Sequence, residues 1–198
     1  MLTYNQDFSN EEIQGSIKYV NTNGVYIGKI VEAYIFRSRN TMSEALNLTI
    51  LTEEDTSIKL RLFYKGRNGE EIKFNMKPIN DLMFIIKRQN LPEGSDGKIP
   101  SLLNQEIGAI ITVDIEYTSS GNQMYGYNLK GFYDPKTGGT VYELQNNKPF
   151  EKVAEFILAY KDAVPVLLDN TTKQVSKDEN NSNNGGNFFP VNDEEIPF

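Results

Sequence analysis

The stretch Lys59-Leu60-Arg61-Leu62-Phe63-Tyr64-Lys65 alternates residue types in a way that can do chemistry. Successive side chains on a strand point to opposite faces. Lys59, Arg61, Phe63 and Lys65 therefore share one face, and Ile58, Leu60, Leu62 and Tyr64 share the other. The second set reads as core. The first sets a ring among cations on a face that meets water. Lysine and arginine neutralise phosphates and release their counterions. An aromatic face stacks on an unpaired base whatever the base is. Tyr34, Phe36, Arg37, Arg39, Lys73, Phe74, Tyr125, Tyr127 and Lys130 are further candidates for this DNA-binding chemistry, being rings or cations on or beside other predicted strands. Phe63 leads the set, because Arg61 and Lys65 flank it at period two.

Other chemistry finds little support. The chain has no cysteine and no histidine. Disulfides, thiol catalysis and thiolate metal sites are excluded. So are Ser-His-Asp chemistry and zinc sites of the usual ligands. Gly94-Ser95-Asp96-Gly97-Lys98 lacks the spacing and the hydroxyl of a phosphate loop. Glu53-Glu54-Asp55 offers carboxylates for Mg²⁺ in a nuclease site, but it lies in a predicted turn without an evident partner, and a solvated turn is the simpler reading. The chain is expected not to be an enzyme and to need no cofactor and no metal.

The net charge of −7 is unevenly placed. From Lys59 to Lys98 there are nine Lys or Arg against five acids, a net of +4, and from Asp169 to Phe198 six acids against two lysines, a net of −4. A basic body with an acidic tail suits a nucleic-acid binder better than the whole-chain charge suggests. No segment approaches the roughly 18 apolar residues of a membrane span, and Met1 to Asp7 lacks the pattern of a signal peptide.

The elements that must position these residues are mostly strands. Residues 1–23 read as an N-terminal arm, with a short helix start at Ser9-Asn10-Glu11-Glu12. Gly24 to Phe36 reads as a long first strand, rich in β-branched and aromatic residues, with Gly28 marking a bulge or bend. Ala45 to Leu51 and Ile58 to Lys65 follow as strands. Asn68-Gly69 signals a hairpin whose return strand is Glu70 to Asn75. Pro78 opens a helix to about Asn90, and Pro92 to Pro100 is a loop. Ile107 to Tyr117 and Gln123 to Tyr133 make a second hairpin. Pro149 to Ala163 reads as a helix with Phe150, Val153, Ile157 and Tyr160 on one stripe. The fold class is all-β with one or two helices, and residues 24–168 fit a five-stranded Greek-key barrel of the OB type, in which a long bent first strand and a helix between the third and fourth strands are expected. Residues 169–187 are low in apolar residues and read as a flexible linker.

After the linker come Phe188-Phe189-Pro190 and then the tip Asp193-Glu194-Glu195-Ile196-Pro197-Phe198. A partner can take the Phe198 ring into an apolar pocket, while a basic rim holds the carboxylates. Pro197 restricts the backbone and lowers the ordering cost. This ending resembles the C-terminal tip of bacterial single-stranded DNA-binding proteins, and the match covers Asp193 to Phe198. The body plan looks closer to bacteriophage or plasmid members, which share the OB-fold and an acidic, aromatic-ended tail. The resemblance implies coating and protection of single-stranded DNA in replication, recombination or repair. It implies recruitment of DNA-processing proteins through the tip, residues 188–198, and a cytoplasmic location in a bacterial cell or a phage host. It transfers only the tip residues and leaves homo-oligomerisation open. A protein–protein adaptor that uses the tip without binding DNA is the alternative.

Overall fold

The computed structural model describes residues 18–117, 123–167 and 187–189. The tip, the turn at 118–122, most of the linker and the first part of the N-terminal arm, including Ser9 to Glu12, lie outside the described residues.

The chain is mostly β. The strands are β1 Lys18–Tyr19, β2 Gly24–Arg37, β3 Glu44–Thr52, β4 Thr56–Lys65, β5 Glu106–Tyr117, β6 Gln123–Tyr133, β7 Val166–Leu167 and β8 Asn187–Phe189. The helices are α1 Lys73–Ile85, α2 Val141–Gln145 and α3 Lys152–Tyr160. One curled sheet runs in the order β1-β4-β3-β2-β5-β6-β8, with β7 paired to β5. The three central strands β2, β3 and β4 form an antiparallel meander, and β5 leaves on the other edge of β2.

Alternation decides which side is core. On β4, Ile58, Leu60 and Leu62 are buried while Lys59, Arg61 and Phe63 are only half-buried. Leu46, Leu48 and Ile50 of β3 join them, with Ile30, Ala33, Ile107 and Ile111 from β2 and β5. α1 lays Ile79 and Leu82 on this core. Burying one such aliphatic side chain stabilises the fold by about 1.5–3 kcal/mol. Tyr127 of β6 closes the curl: its hydroxyl donates to the Val20 carbonyl at 2.9 Å, and the Ser57 carbonyl of β4 lies 3.4 Å away.

Several expectations are corrected. The end of the arm is part of the sheet and core: Lys18 and Tyr19 pair with Thr56 and Ser57, and Val20 is buried. The bulge in β2 falls between Ile30 and Glu32, not at Gly28. It leaves Val31 exposed and turns Tyr34 and Phe36 away from the core. Gly28 instead allows close approach, since a Cβ there would run into the Leu51 carbonyl and the Ile50 side chain. The return strand after Asn68-Gly69 shrinks to one bridge, Lys65 to Glu71, and α1 begins at Lys73. Pro78 therefore sits inside the helix rather than at its start, and the helix stops where Lys87 takes a φ of 56°. The loop 92–100 adds an edge beside β2, with Tyr34 bridged to Lys98 and Ile35 N–H bonded to Gly97.

The last helix is shorter than expected, and its inward stripe is Val153, Phe156 and Tyr160, not Phe150 and Ile157. Phe156 and Tyr160 stack at 4.3 Å. α2 is an addition, made by a capping box between Thr140 and Glu143. Asn187 to Phe189, expected at the junction of linker and tip, pair their backbone antiparallel with Tyr127 to Tyr125 on β6. Among the described residues, no helix is long and apolar enough to cross a membrane.

Candidate nucleic-acid interface

The bulge in β2 and the registers of β3 and β4 assemble rows of side chains on the face away from the core. Glu32, Thr49 and Lys59 form one row. Tyr34, Asn47 and Arg61 form the next, then Phe36, Ala45 and Phe63. At the end of the sheet Arg37, Glu44 and Lys65 also pair, but Arg37 directly follows Phe36 and Glu44 directly precedes Ala45, so this row continues Ile35 and Leu46 on the other face. Each row takes one residue from each strand, so the pleat sets the spacing.

The middle rows are knitted together. The Arg61 guanidinium lies 4.7 Å above the Phe36 ring centroid, within cation–π range. Its Nε donates to Asn47 Oδ1 at 2.9 Å. Phe36 and Phe63 meet edge to face, with centroids 6.4 Å apart and planes at 89°. Ala45 is fully buried between the two phenylalanine strands, and its methyl lets the rings close over β3. Asn47 is also buried, and its Nδ2 has no hydrogen-bond partner. An unpaired buried amide costs about 1–3 kcal/mol.

The flanking rows carry opposite charge. Lys59 Nζ lies 5.3 Å over the Tyr19 ring, and Thr49 donates to Glu32 at 2.8 Å. Glu44 accepts from the Tyr64 hydroxyl at 2.6 Å and from Lys65 Nζ at 3.0 Å. The Tyr64 hydrogen bond and the nearby Lys65 and Arg37 charges outweigh burial, and the Glu44 carboxyl is held below the usual carboxylate range. Arg37 forks onto both oxygens of Glu93. Two of the candidate cations, Arg37 and Lys65, are thereby matched by carboxylates. From Phe63 and Lys65 an open groove of about 460 Å³ runs past Arg67 and Glu70 to Ile72 and Asn75, at the start of α1. Asn75 Nδ2 donates to the Phe63 carbonyl at 2.9 Å and ties helix to strand.

The sequence candidates thus divide. Tyr34, Phe36, Lys59, Arg61 and Phe63 share this face, Lys65 and Arg37 pair with Glu44 at the end of the sheet rather than on it, and Arg39 is exposed in the loop after β2. Lys73 and Phe74 lie not on a strand but in the first turn of α1, where Phe74 is 83% exposed. Lys130 is exposed at a bulge of β6, at the other end of the central strand order. Tyr125 packs on the core and donates to Gln123 at 2.7 Å. Tyr127 is 2% exposed and belongs to the core, so it offers no face to a base. Tyr64, expected in the core, packs against it, though a bulge between Glu44 and Ala45 makes it the extra residue of β4 and leaves it half-buried. Sequence reasoning missed Tyr19, Glu44, Ala45 and Asn47. The last two were legible as the face of β3 opposite Leu46 and Leu48. Tyr19 was hidden in the arm.

Glu53, Glu54 and Asp55 form the exposed turn between β3 and β4. Among the described residues, no group of three or more acids, histidines or cysteines is placed to hold a metal ion. No protein-family model matches the chain, and no curated protein matches it.

Proposed function

We propose that this chain binds single-stranded DNA without strong sequence preference through the outer face of β2, β3 and β4, and that residues 188–198 recruit DNA-processing proteins. The observation that carries the reading is the Arg61–Phe36–Phe63 cluster. Two rings and a cation on adjacent strands are the parts needed to stack bases and hold a phosphate. The OB-fold assignment belongs to the same proposal. The order β4-β3-β2-β5-β6 in a curled sheet, with a helix between β4 and β5 and Tyr127 reaching back to β4, supports the reading as a five-stranded Greek-key barrel. In such barrels the second and third strands carry the oligonucleotide face. Here those strands are β3 and β4. The resemblance of Asp193 to Phe198 to the tips of single-stranded DNA-binding proteins supports the recruiting role. No catalytic role is proposed.

Titration of a labelled oligothymidylate at two salt concentrations tests the DNA reading. It expects binding that weakens as salt rises and that greatly exceeds binding to duplex. The adaptor reading draws on the pairing of Arg37 and Lys65 with Glu93 and Glu44, which lowers the free positive charge at the end of the sheet. Partner capture by a peptide of residues 169–198, with no DNA binding by the whole chain, favours it.

Deleting Asp193 to Phe198 separates the two engagements. Capture of a tip-binding partner is lost. Affinity for single strands stays equal or rises, most visibly at low salt, because the acidic tail no longer screens the basic body. A pull-down and a titration on the same protein read both. Much weaker DNA binding by the truncated chain contradicts this outcome.

A further inference from the structure

α1 turns an unusual face to water. Ile79 and Leu82 point into the core. On the opposite side, at helical spacing, lie Lys73, Lys77 and Phe84, with Phe74 beside them. Phe74 is 83% exposed and Phe84 43% exposed. Neither ring is needed by the core. The surrounding charge is positive: Lys73, Lys77, Lys87 and Arg88 stand against Asp81 alone between positions 73 and 88. Asp81 is already paired with Lys77. This is the same combination of rings and cations as the strand face, repeated on a helix.

The two surfaces are continuous. The groove that leaves Phe63 and Lys65 ends at Ile72 and Asn75, in the first turn of α1. That turn has no side-chain cap and no acid of its own, so it carries the positive end of the helix dipole. A phosphate crossing from strand to helix meets Arg67 and Lys65, the latter shared with Glu44, and passes Glu70 before this helix start.

We propose that the outer face of α1 is a second segment of the binding path, taking further nucleotides of a single strand that first engages the strand face. The proposal rests on the single-stranded DNA reading above and extends it. Phe74 and Phe84 stack on bases beyond the groove, and Lys73 follows the backbone, Lys77 being held by Asp81. The helix is about 20 Å long at 1.5 Å per residue, enough for a few extended nucleotides. An acidic peptide, including the chain's own tip, carries the right charge but offers no row of flat bases to two rings spaced along the helix.

The test is a length series of oligothymidylates against the full chain and against Phe74→Ala, Phe84→Ala and the double variant. For the shortest oligonucleotide that saturates the strand face, all four proteins bind alike. For longer ones the wild type gains affinity, and each alanine variant loses about tenfold. Phe84→Tyr keeps most of the gain, since it keeps a ring. Lys73→Gln lowers the salt slope by about one for the long oligonucleotide only. Unfolding midpoints are measured alongside and stay near wild type, because both rings face water.

Equal losses on short and long oligonucleotides overturn the proposal, as does no loss on either. Unchanged DNA binding with lost affinity for a tip peptide assigns the face to acidic peptides and also overturns it. If the wild type binds the short oligonucleotide but gains nothing with length, this inference fails and the strand-face reading stands. If it binds neither, both fail.

Discussion

Replacing Phe63 by alanine lowers affinity for single-stranded DNA by about 1–3 kcal/mol, the worth of one stacked base. That is roughly five- to 150-fold. The ring is half-buried, sits edge-on to Phe36 and opens onto the groove towards α1. Its loss removes a stacking platform and also the support that holds Phe36. Phe63→Tyr restores most of the affinity, because hydroxylation at the ring edge leaves the face intact. The neighbouring change Arg61→Lys is informative for the opposite reason. It keeps the charge, but an ammonium does not reproduce a guanidinium that lies over Phe36 while its Nε holds Asn47. Affinity therefore falls although net charge is constant. Equilibrium titration of each variant, with circular dichroism as the fold control, measures these effects. Wild-type affinity in Phe63→Ala places the bases elsewhere.

The largest expected effect on stability is at Glu143. This carboxylate is 2% exposed. One oxygen accepts from the Thr140 N–H at 2.8 Å and hydroxyl at 2.7 Å, and the other from the N–H groups of Glu151 and Lys152, both at 2.8 Å. A single side chain thus caps its own helix α2 and the start of α3. Burial pushes its pKa up, but the bonds from Thr140, Lys152 and Glu151 outweigh it, and the carboxyl titrates at about 2 instead of 4.5. The folded state therefore holds the anion where the unfolded chain has begun to take a proton. The stabilisation is complete above pH 4.5 and is lost as the pH falls towards 2. Its size is about 3 kcal/mol. Glu143→Gln turns an NH₂ towards N–H donors on one side and costs about 2–4 kcal/mol near neutral pH. Urea unfolding between pH 2 and 7 shows the loss, and the variant's stability varies less with acid. Some acid dependence remains, because Glu44 is also held low. An unchanged midpoint and slope contradict the double-capping role.

What could be read in the sequence was what one strand says about itself. The alternation Ile58 to Lys65 announced its two faces, and the structure keeps Leu60 and Leu62 in the core and Arg61 and Phe63 out of it. Tyr64 packs on that core but is only half-buried, because it falls at a bulge, and a bulge depends on the partner strand. Rows such as Tyr34–Asn47–Arg61 depend on register between strands, which no single segment encodes. Tyr127 was a matter of choosing the face: Tyr125, Tyr127 and Leu129 are the larger apolar set on β6, and they face inwards. The start of α1 was misplaced because Pro78 reads as a first-turn residue, while the chain tolerates it inside the helix. At Glu143 the local half of the device, the Thr140 box, was legible. Its reach to Glu151 and Lys152 was not, since it depends on how the loop between the helices returns.

The outer face of β2, β3 and β4 as a single-strand platform is the central claim, and a paired titration tests it most directly. The full chain is titrated with labelled oligothymidylate and with duplex of the same length, at two salt concentrations. The expected result is single-strand binding that falls with salt, at least tenfold above duplex, and lost in large part in a Phe36→Ala, Phe63→Ala double variant that remains folded. Equal or stronger duplex binding, or wild-type affinity in the double variant, contradicts it.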